Sequence, residues 1–134
     1  MRTYSDLAQI DDFVEKYEYL RIGGGVANET FGFERYLNQQ FYKSKQWLDV
    51  RAYVITRDNG CDLGDPERPL FSDILVHHMN PMTADDIENW NPDILDPEYL
   101  ITTCHDTHNA IHYGDESLLY IFPPAREAGD TTLW

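Results

Sequence analysis

Cysteine is scarce in this chain. Only Cys61 and Cys104 occur among 134 residues, too few for a disulfide framework. Neither belongs to a Cys-x-x-Cys pair, so a four-cysteine zinc site is excluded. Basic residues are also scarce, ten Lys and Arg against twenty-four Asp and Glu, for a net charge of −14. That balance argues against indiscriminate nucleic-acid binding, which leaves a basic footprint. No apolar run approaches the length of a membrane span, so no membrane association is expected. Internal repeats and low-complexity tracts are missing. The opening Met1-Arg2-Thr3-Tyr4-Ser5-Asp6 lacks the basic-then-apolar layout of a secretory leader, and the expectation is a cytoplasmic protein with reduced thiols.

What remains is an ordinary globular composition, long enough to bury a core. One domain over residues 1–134 is expected: a helical part over 1–60, a core over about 61–114 and an arm over 115–134. Charge is unevenly spread. Residues 35–57 hold five basic residues (Arg35, Lys43, Lys45, Arg51, Arg57) and one acid, Asp49, whereas residues 58–134 hold two basic and sixteen acidic ones. On charge alone this island reads as a solvated helix face.

Residues 5–20 carry Leu7, Ile10, Phe13, Val14, Tyr17 and Leu20 at helical spacing behind Ser5 as a cap, with Asp11-Asp12 as a point where the helix could split. Gly23-Gly24-Gly25 reads as a linker, since it lacks the pattern of a phosphate loop. The segment 31–42 is aromatic-rich (Phe31, Phe33, Tyr36, Phe41, Tyr42). Phe33, Tyr36 and Leu37 fit a core face, a commoner use of aromatics than base stacking. Ser44 caps a helix to about Arg57, ended by Asp58-Asn59-Gly60. Leu70 to Val76 reads as a strand with His77 and His78 at its end and Pro81 as its stop. Thr83 starts a short helix, Leu100 to Thr103 is β-like, and 105–113 is a helix stopped by Gly114. The last twenty residues look like an extended arm anchored by Trp134.

All five histidines lie in two runs, His77-His78 and His105 to His112. His108 and His112 are four apart on a helix and share a face, with His105 nearby. Two neutral imidazoles so placed can hold one divalent ion. Alone, an HxxxH pair is a weak signal. The second cluster, at a strand end that could pack on the helix, strengthens it. An open catalytic site needs about three protein ligands and a separate base, and histidine suits the base role near neutrality. Consecutive strand residues point to opposite faces. Either the backbone bends at His77-His78, or only one of them joins the site.

Ile74-Leu75-Val76-His77-His78-Met79-Asn80-Pro81 resembles the first strand and His-His-x-x-Pro element of the HNH endonucleases. Thr107-His108-Asn109-Ala110-Ile111-His112 resembles their closing His-Asn-x-x-His helix. Phe41 to Trp47 is similar to a helix that often precedes the motif. The resemblance covers about 41–114 and is closest to stand-alone bacteriophage members. It implies an α+β protein with a ββα-metal core, preceding helices and an extended C-terminal arm. It implies His78 as general base, His77, His108 and His112 as ligands of one divalent metal (Mg, Mn, Ni or Zn), and hydrolysis of DNA to 5′-phosphate and 3′-hydroxyl ends. The family's middle asparagine falls at Tyr99, leaving Tyr99, Asn80, Asn89 or Asn91 to orient the base. Gly64 and Thr107 stand where zinc-binding relatives carry the partners of Cys61 and Cys104, so no structural zinc is expected.

The acidity then requires that Lys43, Lys45, Arg51 and Arg57 grip the DNA backbone, or that a partner supplies affinity. The resemblance suggests phage packaging (terminase) proteins for that role, in the host cytoplasm. The rival readings are a non-catalytic metal-stabilised interaction module of a phage assembly, and a histidine-lined structural metal site in an unrelated α/β protein.

Overall fold

Two consecutive histidines in an extended segment face opposite ways, and the fold is arranged around that alternation. The computed structural model describes residues 1–22 and 34–119, with side chains for 1–22 and 39–119. The Gly23-Gly24-Gly25 linker, Phe31, Phe33, the side chains of Tyr36 and Leu37, and the arm beyond Leu119 with Trp134 lie outside these limits. In order, the named elements are α1 (Tyr4–Leu7), α2 (Phe13–Leu20), α3 (Glu34–Lys43), α4 (Lys45–Arg57), β1 (Ile74–His78), α5 (Ala84–Glu88), β2 (Leu100–Cys104) and α6 (His105–Tyr113). Short 3-10 turns link them at Asp62–Gly64, Pro92–Leu95, Pro97–Tyr99 and Glu116–Leu118. The protein is therefore α+β, helices around one small sheet. No described helix is long and apolar enough to cross a membrane.

β1 and β2 pair antiparallel, with Val76 opposite Thr102, His77 opposite Ile101 and His78 opposite Leu100. One face of the pair carries His77, Ile101 and, just past the strand, Met79. It packs on Ala110 and Ile111 of α6 and on Leu7, Phe13, Tyr17 and Leu20 of the first two helices. The other face carries Val76, His78 and Leu100 and packs on Phe41 of α3, Trp47 and Val54 of α4, and Ile87 and Ile94. The sheet thus divides two apolar clusters. Each fully buried aliphatic side chain contributes roughly 1.5–3 kcal/mol to that arrangement.

Local chemistry sets most boundaries. Ser44 accepts a hydrogen bond from the Trp47 N–H at 3.2 Å and starts α4 as expected. Thr83 and Asp86 form a reciprocal capping box on α5. Gly114, at φ +64, ends α6. Its missing Cβ matters: one built there would sit 2.8 Å from the Ile22 carbonyl oxygen.

One expectation is settled and two details are corrected. The helix over 5–20 does split at Asp11-Asp12, into two helices. Thr3 caps α1 in place of Ser5, whose hydroxyl donates to Glu98. Asp12 caps α2 by accepting from the Glu15 N–H. The strand begins at Ile74, not Leu70, and contains both histidines. Asp73 adopts a left-handed φ of 55° immediately before it, which interrupts extended chain. Leu70 is held elsewhere, its N–H donating to the Gly60 carbonyl at 2.9 Å.

Candidate metal centre

β1 supplies one imidazole and α6 supplies two. The helix is positioned from its first residue. The Cys104 sulfur accepts from the Thr107 N–H at 3.4 Å, and the buried Asp62 carboxylate accepts from the Thr107 hydroxyl at 2.6 Å and from the Cys104 N–H at 3.3 Å. This knot joins the 61–64 turn to the start of α6. One turn further on, His108 and His112 project together, with ring centroids 4.3 Å apart. His77 meets both edge-on, at 5.1 Å from His108 and 5.5 Å from His112.

The three rings bring one ligand nitrogen each within 4.8 Å of the others, so the cluster could hold a metal ion. A tetrahedral ion would draw such nitrogens to about 3.3 Å of one another, a rotamer adjustment rather than a refolding. Two further observations fit a cation. His77 is 2 % exposed, and its Nε2 is buried without a hydrogen-bond partner, a costly state that a ligand would relieve. All three imidazoles are also held neutral, the form that coordinates. Burial, then the neighbouring His108 and His112, hold His77 well below the usual histidine range. Burial brings His108 down to about 4 and lowers His112. His105 stands apart, exposed, with its Nε2 3.2 Å from the Asn109 side-chain nitrogen.

His78 lies on the opposite face of β1, outside the cluster. The chain does not bend there. Only His77 joins the cluster, as strict alternation requires. His78 is still close enough for its charge to weigh on His77 and His108. Its ring stacks on Trp47, with centroids 5.0 Å apart and planes 19° from parallel, and Phe41 lies 5.9 Å away. Its Nε2 is 2.9 Å from the Ile94 carbonyl oxygen. A carbonyl can only accept, so this bond assigns the proton to Nε2 and leaves the Nδ1 lone pair available. Burial pulls this imidazole down to about 4 against the hydrogen bond it donates to the Ile94 carbonyl, so it is neutral at pH 7.

The hydrogen bond that orients His78 therefore runs to a backbone carbonyl and to none of the side chains of Tyr99, Asn80, Asn89 and Asn91. Tyr99 lines a cavity of about 80 Å³ beside His78, together with Asn80, Asn91 and Ile94. Asn80 clamps the N-terminal segment, accepting from the Arg2 N–H at 2.8 Å and donating to its carbonyl at 3.0 Å. Asn89 donates to Asp85, and Asn91 bridges Asp86 and the Asp93 N–H. Sequence reading missed Ile94, because a carbonyl carries no residue signature. Nor does the sequence signal the stacking of Trp47 on His78.

The basic island divides. Lys43 and Lys45 are exposed, and Lys45 pairs with Asp49 at 2.7 Å. Arg51 donates to the Ile74 carbonyl at 2.9 Å and makes no ion pair among the described residues. Arg57, expected to grip phosphate, is engaged within the fold. Its guanidinium grips the buried Asp58 through two nitrogens, donates to the Pro97 and Leu100 carbonyls at 2.7 Å each, and lies 3.6 Å over the Tyr4 ring. It braces α4 against the start of β2.

No family model matches the chain, and neither a curated protein nor a solved structure matches it.

Proposed function

We propose that the chain is a metal-dependent DNA endonuclease of the HNH type, with β1, β2 and α6 as its ββα-metal core. The observation that carries the reading is the pairing of a three-imidazole cluster with a separate histidine one residue away. His77, His108 and His112 would hold the ion through three protein ligands, the number a catalytic site uses. When bound, a divalent cation supplies Lewis-acid stabilisation to a phosphoryl oxygen and to the departing 3′ oxygen.

The chain's own residues do the rest. His77, buried on the strand, fixes one ligand direction, and α6 fixes the other two. His78 presents Nδ1 as the base. It accepts a proton from water as the water oxygen attacks phosphorus, and the P–O3′ bond breaks to leave a 5′-phosphate and an O3′ that takes a proton from solvent to become the 3′-hydroxyl. The Ile94 carbonyl holds the Nε2–H, which stabilises the imidazolium as it forms. Trp47 holds the ring plane.

The test is cleavage of supercoiled plasmid by purified protein with Mg²⁺, Mn²⁺, Ni²⁺ or Zn²⁺, beside His78→Ala and His108→Ala. We expect metal-dependent nicking or linearisation that drops at least about 100-fold in folded His78→Ala while that variant still binds metal. His108→Ala should lose both metal and cleavage. Equal cleavage by His78→Ala would remove His78 from the chemistry. Metal binding without cleavage under any condition would favour a non-catalytic metal-stabilised module, a reading supported by the aromatic packing over the His78 ring.

A further inference from the structure

A groove of about 420 Å³ opens beside the histidine cluster, lined by Tyr42, Trp47, Leu48, Arg51, Val76 and His108 among others. Its volume falls among small-ligand clefts, about 300–1,000 Å³. Its walls are mainly apolar, and two of its side chains are aromatic. Tyr42 is 40 % exposed and Leu48 50 % exposed, so neither is closed into the core. The rings of Tyr42 and Trp47 stand edge to face, 5.2 Å apart. At the same groove Arg51 is held in place by the Ile74 carbonyl and makes no ion pair among the described residues. One end is His108, a member of the metal cluster.

A flat π-face, an aliphatic wall and one oriented guanidinium form a cleft for a planar base with an attached phosphate. Bases inside a duplex cannot enter it, because they are stacked on one another and show only their edges. A chain with net charge −14 is also poorly suited to hold duplex DNA by charge alone. Base stacking supplies affinity that does not depend on net charge.

We propose that this groove receives an unpaired nucleotide of the substrate strand, which makes the preferred substrate single-stranded or splayed DNA and not continuous duplex. The proposal rests on the nuclease reading for its position beside the scissile phosphate. Tyr42 stacks on the base, Leu48 closes the side, and Arg51 holds a phosphate next to the one presented at His108.

The experiment has two arms. In the first, metal-free protein in chelator is titrated into a fluorescein-labelled oligothymidylate and into a labelled duplex of the same length, and anisotropy is read. Wild type should bind the unpaired strand at least about 10-fold more tightly. Tyr42→Ala should weaken that binding by about 5- to 100-fold, the range for loss of one stacked base. Leu48→Glu should weaken it likewise, and Tyr53→Ala, an exposed aromatic of α4 outside the groove, should not. In the second arm, Mn²⁺-loaded protein is given a splayed-arm duplex, and the cut positions are mapped.

Cuts in the arms that Tyr42→Ala suppresses uphold the proposal. Cuts spread evenly through paired DNA, unaffected by Tyr42→Ala, overturn it and leave the nuclease reading standing. Tyr42-dependent binding of the unpaired strand, with no cleavage under any metal, upholds the groove's ligand and removes the nuclease reading. Duplex preferred in the first arm, with no cleavage in the second, overturns both.

Discussion

Asp62 is 4 % exposed and bears three polar neighbours, yet burial pushes its carboxyl up to about 6 against the hydrogen bonds from Thr107 and Cys104. The folded chain therefore holds that proton more tightly than the unfolded chain does. Stability from this group is greatest below about pH 4 and is lost as pH rises to about 6, by up to roughly 3 kcal/mol. Asp62→Asn keeps the shape and can still pair with Thr107. Urea denaturation across pH 4–7 should show a decline in wild type that is flattened in this variant, with the variant at least as stable at pH 7. Arg57 gives a second residue-scale expectation. Because it answers the buried Asp58 and two carbonyls, Arg57→Ala should cost roughly 3 kcal/mol of folding stability. A phosphate contact would instead lower DNA affinity and leave the melting temperature unchanged. Thermal melts and DNA titrations on the same variant separate the two roles.

At the scale of elements, α6 is the piece on which the centre depends, and its C-terminal stop is tightly built. Gly114 combines a left-handed φ of +64 with a Cβ position 2.8 Å from the Ile22 carbonyl oxygen. Gly114→Ala should cost about 1–3 kcal/mol and, by loosening the last turn beside His112, weaken metal binding. Calorimetric titration of metal, paired with a denaturation curve, checks both. This helix was legible in the sequence because its signals are local: histidines four apart, a glycine at the end. The caps Ser44 and Thr83 were legible for the same reason. The start of β1 was not, because it turns on the left-handed Asp73, which an aspartate adopts only where its surroundings hold it. Nor was Arg57 as a brace. Its partners at 97 and 100 are forty residues away, and an arginine on a helix reads as solvent-facing until the neighbouring chain is placed. The alternation of His77 and His78 was legible as a constraint, but the carbonyl that orients His78 was not, since backbone atoms are the same at every residue.

At the scale of the whole molecule, both cysteines are free thiols, and the clearest means of tying β1 to α6 is coordination at His77, His108 and His112. A metal binding only the folded state at one hundred times its Kd adds about 2.7 kcal/mol, on the order of 5–10 °C in melting temperature for a domain this size. Melting curves with Zn²⁺ or Mn²⁺ should show that rise, chelator should reverse it, and His77→Ala should abolish it. The two apolar clusters lie on opposite faces of a two-stranded sheet, so tightening one face should also steady the other.

The adjacency of His77 and His78 also has a mechanical consequence. Their α-carbons are about 3.8 Å apart, fixed by a single trans peptide, so the two backbone positions share one rigid link. Loop changes elsewhere carry both together and cannot alter their spacing. His108 and His112 stand on α6, whose ends are fixed by the contacts among Cys104, Thr107 and Asp62 and by the Gly114 stop. Sequence changes at Cys104, Thr107 or Gly114 would therefore shift His108 and His112 relative to His77, while the backbone step from residue 77 to 78 stays the same.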